Sequence, residues 1–251
     1  MSRSAASAII LAGVLLASGA ARAQTAGADP NSKQPFGSPV DDQKLGSHLI
    51  VDQLEARIGN GDTSLRWEAQ AWTGTDAWKL WLKSEGERTG SGELQDGQTE
   101  AFISKPITPF WDLQVGGRYD LDSRVGRGWG AIGVQGLAPG YLDVEATAYF
   151  GQRGAAAKLT VSNDILLTNR LILQPEAELN AYSSDDKARL IASGISDLDA
   201  GLRLRYEISR KFAPYLGVAW EKKFGRTAYL VRAAGDSAAD VRLALGLRAW
   251  F

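Results

Sequence analysis

Four pairs of acidic residues recur two positions apart in this chain: Glu85/Glu87, Asp143/Glu145, Glu176/Glu178 and Asp197/Asp199. On an extended chain, that spacing puts both carboxylates on one face, about 7 Å apart. Two acids so placed can share one hydrated divalent cation, which takes oxygen ligands. His48, the single histidine, adds an imidazole shortly before Asp52 and Glu55. His48, Asp52, Glu55 and the four acid pairs are therefore the candidate metal ligands. A plainer reading is charge neutralisation. Lys79, Lys83, Arg118, Arg203, Arg205, Arg242 and Arg248 fall on the same polar faces as the acids, and buried charges are normally paired. His48, alone at the edge of a patterned region, equally reads as a solvated surface residue. Catalysis by proton transfer needs a base set beside a nucleophile. One histidine, with serines mainly in links and in the leading segment, argues against an enzyme.

The faces that would carry these side chains come from an alternation of period two. Asp240 to Phe251 shows it without a break. Val241, Leu243, Leu245, Leu247, Ala249 and Phe251 fall on one face, and Asp240, Arg242, Ala244, Gly246, Arg248 and Trp250 on the other. Strong alternation also covers 111–120, 142–150, 171–180 and 197–208. Weaker alternation covers 49–58, 64–73, 78–87, 98–105, 129–137, 155–165 and 214–223. A tilted strand crosses a bilayer in about 9–11 residues. The pattern predicts an all-β fold, a transmembrane antiparallel up-and-down β-barrel of about twelve strands, apolar outside and polar within. The links alternate between short and long, apart from two short ones at Gly59-Asn60-Gly61-Asp62 and Gly151-Gln152-Arg153-Gly154 where long ones are expected, which predicts both chain ends on the periplasmic side. Trp72, Trp78, Trp81, Phe110, Trp111, Trp129, Tyr141, Phe150, Tyr215 and Phe251 lie near strand ends, as an interfacial girdle requires. The alternative, a large soluble β-sandwich, leaves two wet faces to explain.

The chain opens with Arg3, an apolar run from Ala5 to Ala17 and the small-residue site Ala21-Arg22-Ala23, the pattern of a secretory signal peptide at 1–23. Residues 24–47 read as a flexible periplasmic leader and 48–251 as the outer-membrane barrel. No cysteine is present, which excludes disulfides and thiolate metal sites. A formal net charge of -1 gives no basic footprint for nucleic acid.

Several segments resemble the copper-resistance protein B (CopB/PcoB) family of outer-membrane proteins. They include Val51-Asp52-Gln53-Leu54-Glu55, Leu80-Trp81-Leu82-Lys83 and Pro109-Phe110-Trp111-Asp112-Leu113-Gln114. Others are Gly133-Val134-Gln135-Gly136-Leu137-Ala138-Pro139, Gly201-Leu202-Arg203-Leu204-Arg205-Tyr206-Glu207-Ile208, Phe212-Ala213-Pro214-Tyr215 and the closing Arg248-Ala249-Trp250-Phe251. The resemblance implies copper binding or passage at the cell outer membrane in support of copper resistance. It also implies a periplasmic multicopper oxidase as partner, beside outer-membrane lipid, lipopolysaccharide and the barrel-assembly machinery. The leader lacks the Met- and His-rich stretch found in many members. With no cysteine and no methionine beyond Met1, the soft ligands of Cu(I) are missing, so any copper site here should favour Cu(II), or capture should be left to a partner. A structural or small-solute outer-membrane barrel without a metal role is the other functional reading.

Overall fold

The computed structural model describes residues 44–59, 61–121 and 126–251. The expected signal peptide and most of the expected leader lie outside the described residues. Twelve antiparallel strands close into a barrel. In chain order they are β1 (Gly46–Gly59), β2 (Asp62–Gly74), β3 (Lys79–Arg88), β4 (Leu94–Thr108), β5 (Trp111–Asp120) and β6 (Arg127–Ala138). They continue as β7 (Leu142–Gly151), β8 (Gly154–Asn163), β9 (Leu171–Tyr182), β10 (Gly194–Tyr206), β11 (Phe212–Lys223) and β12 (Ala239–Trp250). A two-residue stub, Ile165–Leu166, prolongs β8 along the same neighbour, β9. Each strand pairs with the next, and β12 returns to β1 through pairs such as Leu247 with Leu54 and Leu243 with Ile58. Closure removes the sheet edges, so the backbone polar groups find partners within the ring, as a structure in hydrocarbon must.

The alternation resolves as the sequence predicts. Leu202, Leu204, Leu243 and Leu245 are exposed on the outside, while Arg203 and Arg205 between them are buried inside. The first strand begins at Gly46, so His48 sits within β1 and not at its junction with the leader. One irregularity in β1 matters for the lumen. The register of β1 shifts at Asp52 against both β2 and β12. A bulge of this kind lets two consecutive side chains leave the same face. Asp52 accepts from Gln70, and Gln53 donates to Glu176 and accepts from Arg203, all on the lumen side. Asp52 and Glu55, three apart, would face opposite ways on a regular strand; the bulge turns both inward.

The aromatic expectation needs correction. Trp78, Phe110, Tyr141, Phe150 and Phe251 are exposed near strand ends, as a girdle requires. Trp81 and Tyr215 instead are buried, and Trp81 forms an interior cluster with Phe102 and Tyr149, against which Trp72 and Trp129 pack. A polar-edged ring suits a lumen as well as an interface, because it offers one apolar body and one hydrogen-bonding tip. Tyr149 and Tyr215 use that tip, donating to Glu100 and Glu55 respectively.

The two ends of the barrel differ. At the end carrying Gly46 and Phe251, the strands are joined by short turns, such as Gly140–Tyr141 after β6. At the opposite end, the link between β9 and β10 folds back on itself through an Asp186–Ile191 bridge and a 3-10 turn, Lys187–Arg189. The link between β11 and β12, one of the long ones, contains a helix, α1 (Gly225–Ala233).

Candidate functional site

The lumen is filled by two charge networks and an aromatic wall. The first network centres on Glu55, whose side chain is fully buried. It accepts from Arg57 Nε at 2.7 Å, Arg203 Nε at 3.0 Å and the Tyr215 hydroxyl at 2.9 Å. Arg57 also reaches Asp199 at 2.8 Å and Glu87 at 3.5 Å, and Arg242 from β12 reaches Glu87 at 2.7 Å. Room for this hub comes from glycine. A Cβ at Gly246 would lie 2.6 Å from the Tyr215 ring and 2.8 Å from Glu55 Cβ.

The second network centres on Lys158, which bridges Glu85 at 2.6 Å and Glu178 at 3.5 Å. Toward the end of the barrel with the chain termini, Lys83 pairs with Glu145 at 2.7 Å, and Arg248 pairs with Asp52 at 2.9 Å. Between these groups lies a cavity of about 50 Å³, whose charged lining is Glu68, Glu85, Glu100, Glu145, Glu178, Lys83 and Lys158. The Glu68 carboxylate lines it with no hydrogen bond or ion pair among the described residues.

The candidate ligands therefore share one lumen without sharing one site. The partners at i, i+2 face the same way but go to different cations: Glu85 to Lys158 and Glu87 to Arg57 and Arg242. Glu176 pairs with Arg203 at 3.4 Å, whereas Glu178 pairs with Lys158. Asp199 takes Arg57, and Asp197 accepts from Asn180 at 3.0 Å. Asp143 lies in the field of Asp164, Arg248 and Asp52. The His48 ring lies beside that of Trp72, tilted by 49° with centroids 6.3 Å apart, and no hydrogen bond links it to Asp52 or Glu55 among the described residues. No group of three or more His, Cys, Asp or Glu side chains placed to hold a metal ion occurs among the described residues.

Sequence reasoning missed Glu68, Lys158, Arg57 and Arg66, the last of which lies 3.7 Å from Asp199. The signal for Glu68 was present in the alternation of Arg66, Glu68 and Gln70 with Trp67, Ala69 and Ala71. Its single acid per face lacked the pairing that drew notice elsewhere.

A closed ring with an apolar exterior and a charge-lined lumen defines an outer-membrane-type β-barrel. The solved NanC porin has this fold too, with a TM-score of 0.52 at 12% identity, covering 80% of this chain and 98% of that one. The family is set by sequence. Residues 45–251 match the model of the copper resistance protein B precursor (CopB), and the chain belongs to that family. It is 43% identical over 216 residues to the copper resistance protein B homolog of Pseudomonas syringae pv. tomato, covering 86% of this chain and 73% of that one. It is 39% identical over 228 residues to copper resistance protein B of Escherichia coli, covering 89% of this chain and 77% of that one.

Proposed function

We propose that this barrel binds copper or passes it across the outer membrane, as Cu(II), in support of copper resistance, and that it does so without catalysis. Copper is cargo in this reading. Beyond family membership, the observation that supports it is the acid surplus at mid-lumen, where five carboxylates and two ammonium groups line one cavity. A surplus of fixed negative charge in a low-dielectric passage concentrates cations there. Carboxylate oxygens suit Cu(II), whereas Cu(I) prefers sulfur. Glu68 lines this cavity without a hydrogen bond or ion pair among the described residues, so an ion could engage it without displacing a base. Beyond it, copper must displace Lys158 to engage Glu85 and Glu178. Binding by displacement is weak and exchangeable, which suits transfer better than storage.

Outer-membrane lipid and lipopolysaccharide, the barrel-assembly machinery and a periplasmic multicopper oxidase are partners under the same proposal, with both chain ends in the periplasm. A second reading, a structural or small-solute barrel, draws support from the bases already paired with most candidate acids. The test is copper tolerance of a strain lacking this protein, compared with its zinc tolerance, after complementation by the native chain or by Glu68→Gln. Native complementation should restore copper tolerance specifically, and Glu68→Gln should restore less. Equal copper tolerance with and without the native protein would sink the copper reading.

A further inference from the structure

The end of the barrel opposite the chain termini is roofed. The segment Ser183–Ser193 turns inward so that Ile191 and Ala192 are buried, with Ala192 at 1% exposure. Its Ala192 N–H donates to Thr227 Oγ1 of α1 at 3.0 Å, joining segment and helix into one cover. Beneath it lies a cavity of about 90 Å³, lined by Arg189, Ile191 and Thr227 from above and by Tyr182, Ser196 and Asp197 from the wall.

The way this cover is fastened is informative. Arg189 Nη1 reaches Asp120 at 3.0 Å. Asp120 is fully buried, yet its carboxylate also accepts from Arg118 Nε at 2.6 Å and from Trp129 Nε1 at 3.0 Å, both on the barrel wall. Withdrawal of Arg189 would leave Asp120 still paired and hydrogen-bonded, while the guanidinium would pass into water. At Asp120, therefore, the penalty that normally locks a buried ion pair, an abandoned charge on the wall, is absent; the segment is also held to the wall by the buried pair of Asp186 with Arg127 of β6, which must part on opening. Within the cover, Arg226 of α1 also pairs with Asp185 of the segment at 2.9 Å, with Arg226 68% exposed and so weakly held. None of these fastenings belongs to the barrel's strand ladders.

We infer that Ser183–Ser193 and α1 form a lid over this end of the lumen, latched by Arg189 on Asp120 and able to open while the barrel stays closed. The inference concerns access and stands apart from the identity of the solute. Segments held outside the main ladders open locally at a fraction of the global free energy.

The chain carries no cysteine, so single cysteines report access cleanly. Ser196→Cys places a near-isosteric thiol beneath the lid, and Tyr229→Cys places one on the exposed face of α1, where Tyr229 is 70% exposed. Full-length variants in lipid vesicles are treated with a membrane-impermeant maleimide, and folding is confirmed by heat-modifiable gel migration. Ser196→Cys should react about 100-fold slower than Tyr229→Cys, equivalent to about 2.8 kcal/mol of opening free energy. Adding Arg189→Gln should speed it by about tenfold or more, and replacing residues 184–192 with two glycines should abolish the difference. The glycine replacement serves as an independent test should Arg189→Gln fail to fold. Equal rates for Ser196→Cys and Tyr229→Cys in the intact lid would overturn the inference. So would slow labelling that neither lid variant speeds, because the wall would then be the barrier.

Discussion

Replacing Glu55 with Gln isolates the role of the lumen charges most sharply. The change keeps size and shape but removes the charge facing Arg203, whose side chain is 2% exposed, and Arg57, at 3%. Removing one partner of a buried pair costs about 3–5 kcal/mol when the other charge is left bare. Neither arginine is left wholly bare. Arg203 keeps Glu176 at 3.4 Å and Gln53 at 2.9 Å, and Arg57 keeps Asp199 at 2.8 Å. The Gln amide oxygen can still accept one of the lost hydrogen bonds. The expected loss is therefore at the lower end, about 3 kcal/mol. Urea unfolding of the barrel in lipid vesicles, followed by tryptophan fluorescence and by heat-modifiable migration, measures it. Cu(II) affinity should stay within about twofold of native, because Glu55 is spent on its arginines and on Tyr215. A stability loss below about 1 kcal/mol would refute the hub, and a large loss of copper affinity with stability intact would make Glu55 a ligand.

Glu176→Gln with Glu178→Gln should leave the barrel folded but less stable, and calorimetric Cu(II) titration beside melting separates ligand from counter-ion. Lowered affinity favours the metal path, and unchanged affinity with a lower melting point favours charge pairing. Gly246→Ala should destabilise by about 1–3 kcal/mol in the same urea assay, since its methyl group meets the Tyr215 ring and Glu55. A neutral effect would mean that the hub can shift aside. Deleting Phe251 should reduce folded yield in outer-membrane fractions more than deleting residues 25–45, because Phe251 exchanges two backbone hydrogen bonds with Leu49 at the closing seam, at 2.8 and 3.1 Å. Normal yield without Phe251 would refute this. The Asp185 carboxyl is held below the usual carboxylate range, chiefly by the Ser193 backbone N–H and further by Arg226. Its contribution is present above the unfolded value and is lost as pH falls through the lowered one. Hydrogen-exchange protection of the Ser193 amide should therefore persist through neutral pH and fall only in acid, and loss at neutral pH would refute the assignment.

The strands were legible because each obeys one local rule, and the leucines of β10 and β12 announce the lipid face directly. The bulge at Asp52 was not legible, since nothing in Val51-Asp52-Gln53 distinguishes a local register shift from regular alternation. The inward turn of Trp81 and Tyr215 escaped notice because alternation alone does not decide which face an aromatic ring with a polar tip will occupy. Pairing in the lumen was beyond reach for a different reason. Glu55 meets Arg203 across 148 residues and Tyr215 across 160, so their proximity is a property of the closed ring and not of any segment. The acid pairs looked like shared sites because their bases lie on other strands. The helix after β11 lay in a long link bounded by Gly225 and Gly235, residues that mark a loop in the sequence.

The position of Glu55 carries a consequence for how the barrel is made. It lies on β1, the first strand of the barrel, whereas Arg203 and Tyr215 lie on β10 and β11. Until those late strands arrive, an inward-facing Glu55 would be a carboxylate in the forming lumen with Arg57 of its own strand, but neither Arg203 nor Tyr215, to pair with. A partly assembled sheet thus carries an electrostatic penalty that is relieved only near completion. Long-range closure is slow for entropic reasons, and this arrangement adds an energetic one against stopping early. The first strand holds a question that only the last third of the chain answers, so a truncated barrel is disfavoured from within, before any cellular machinery inspects it.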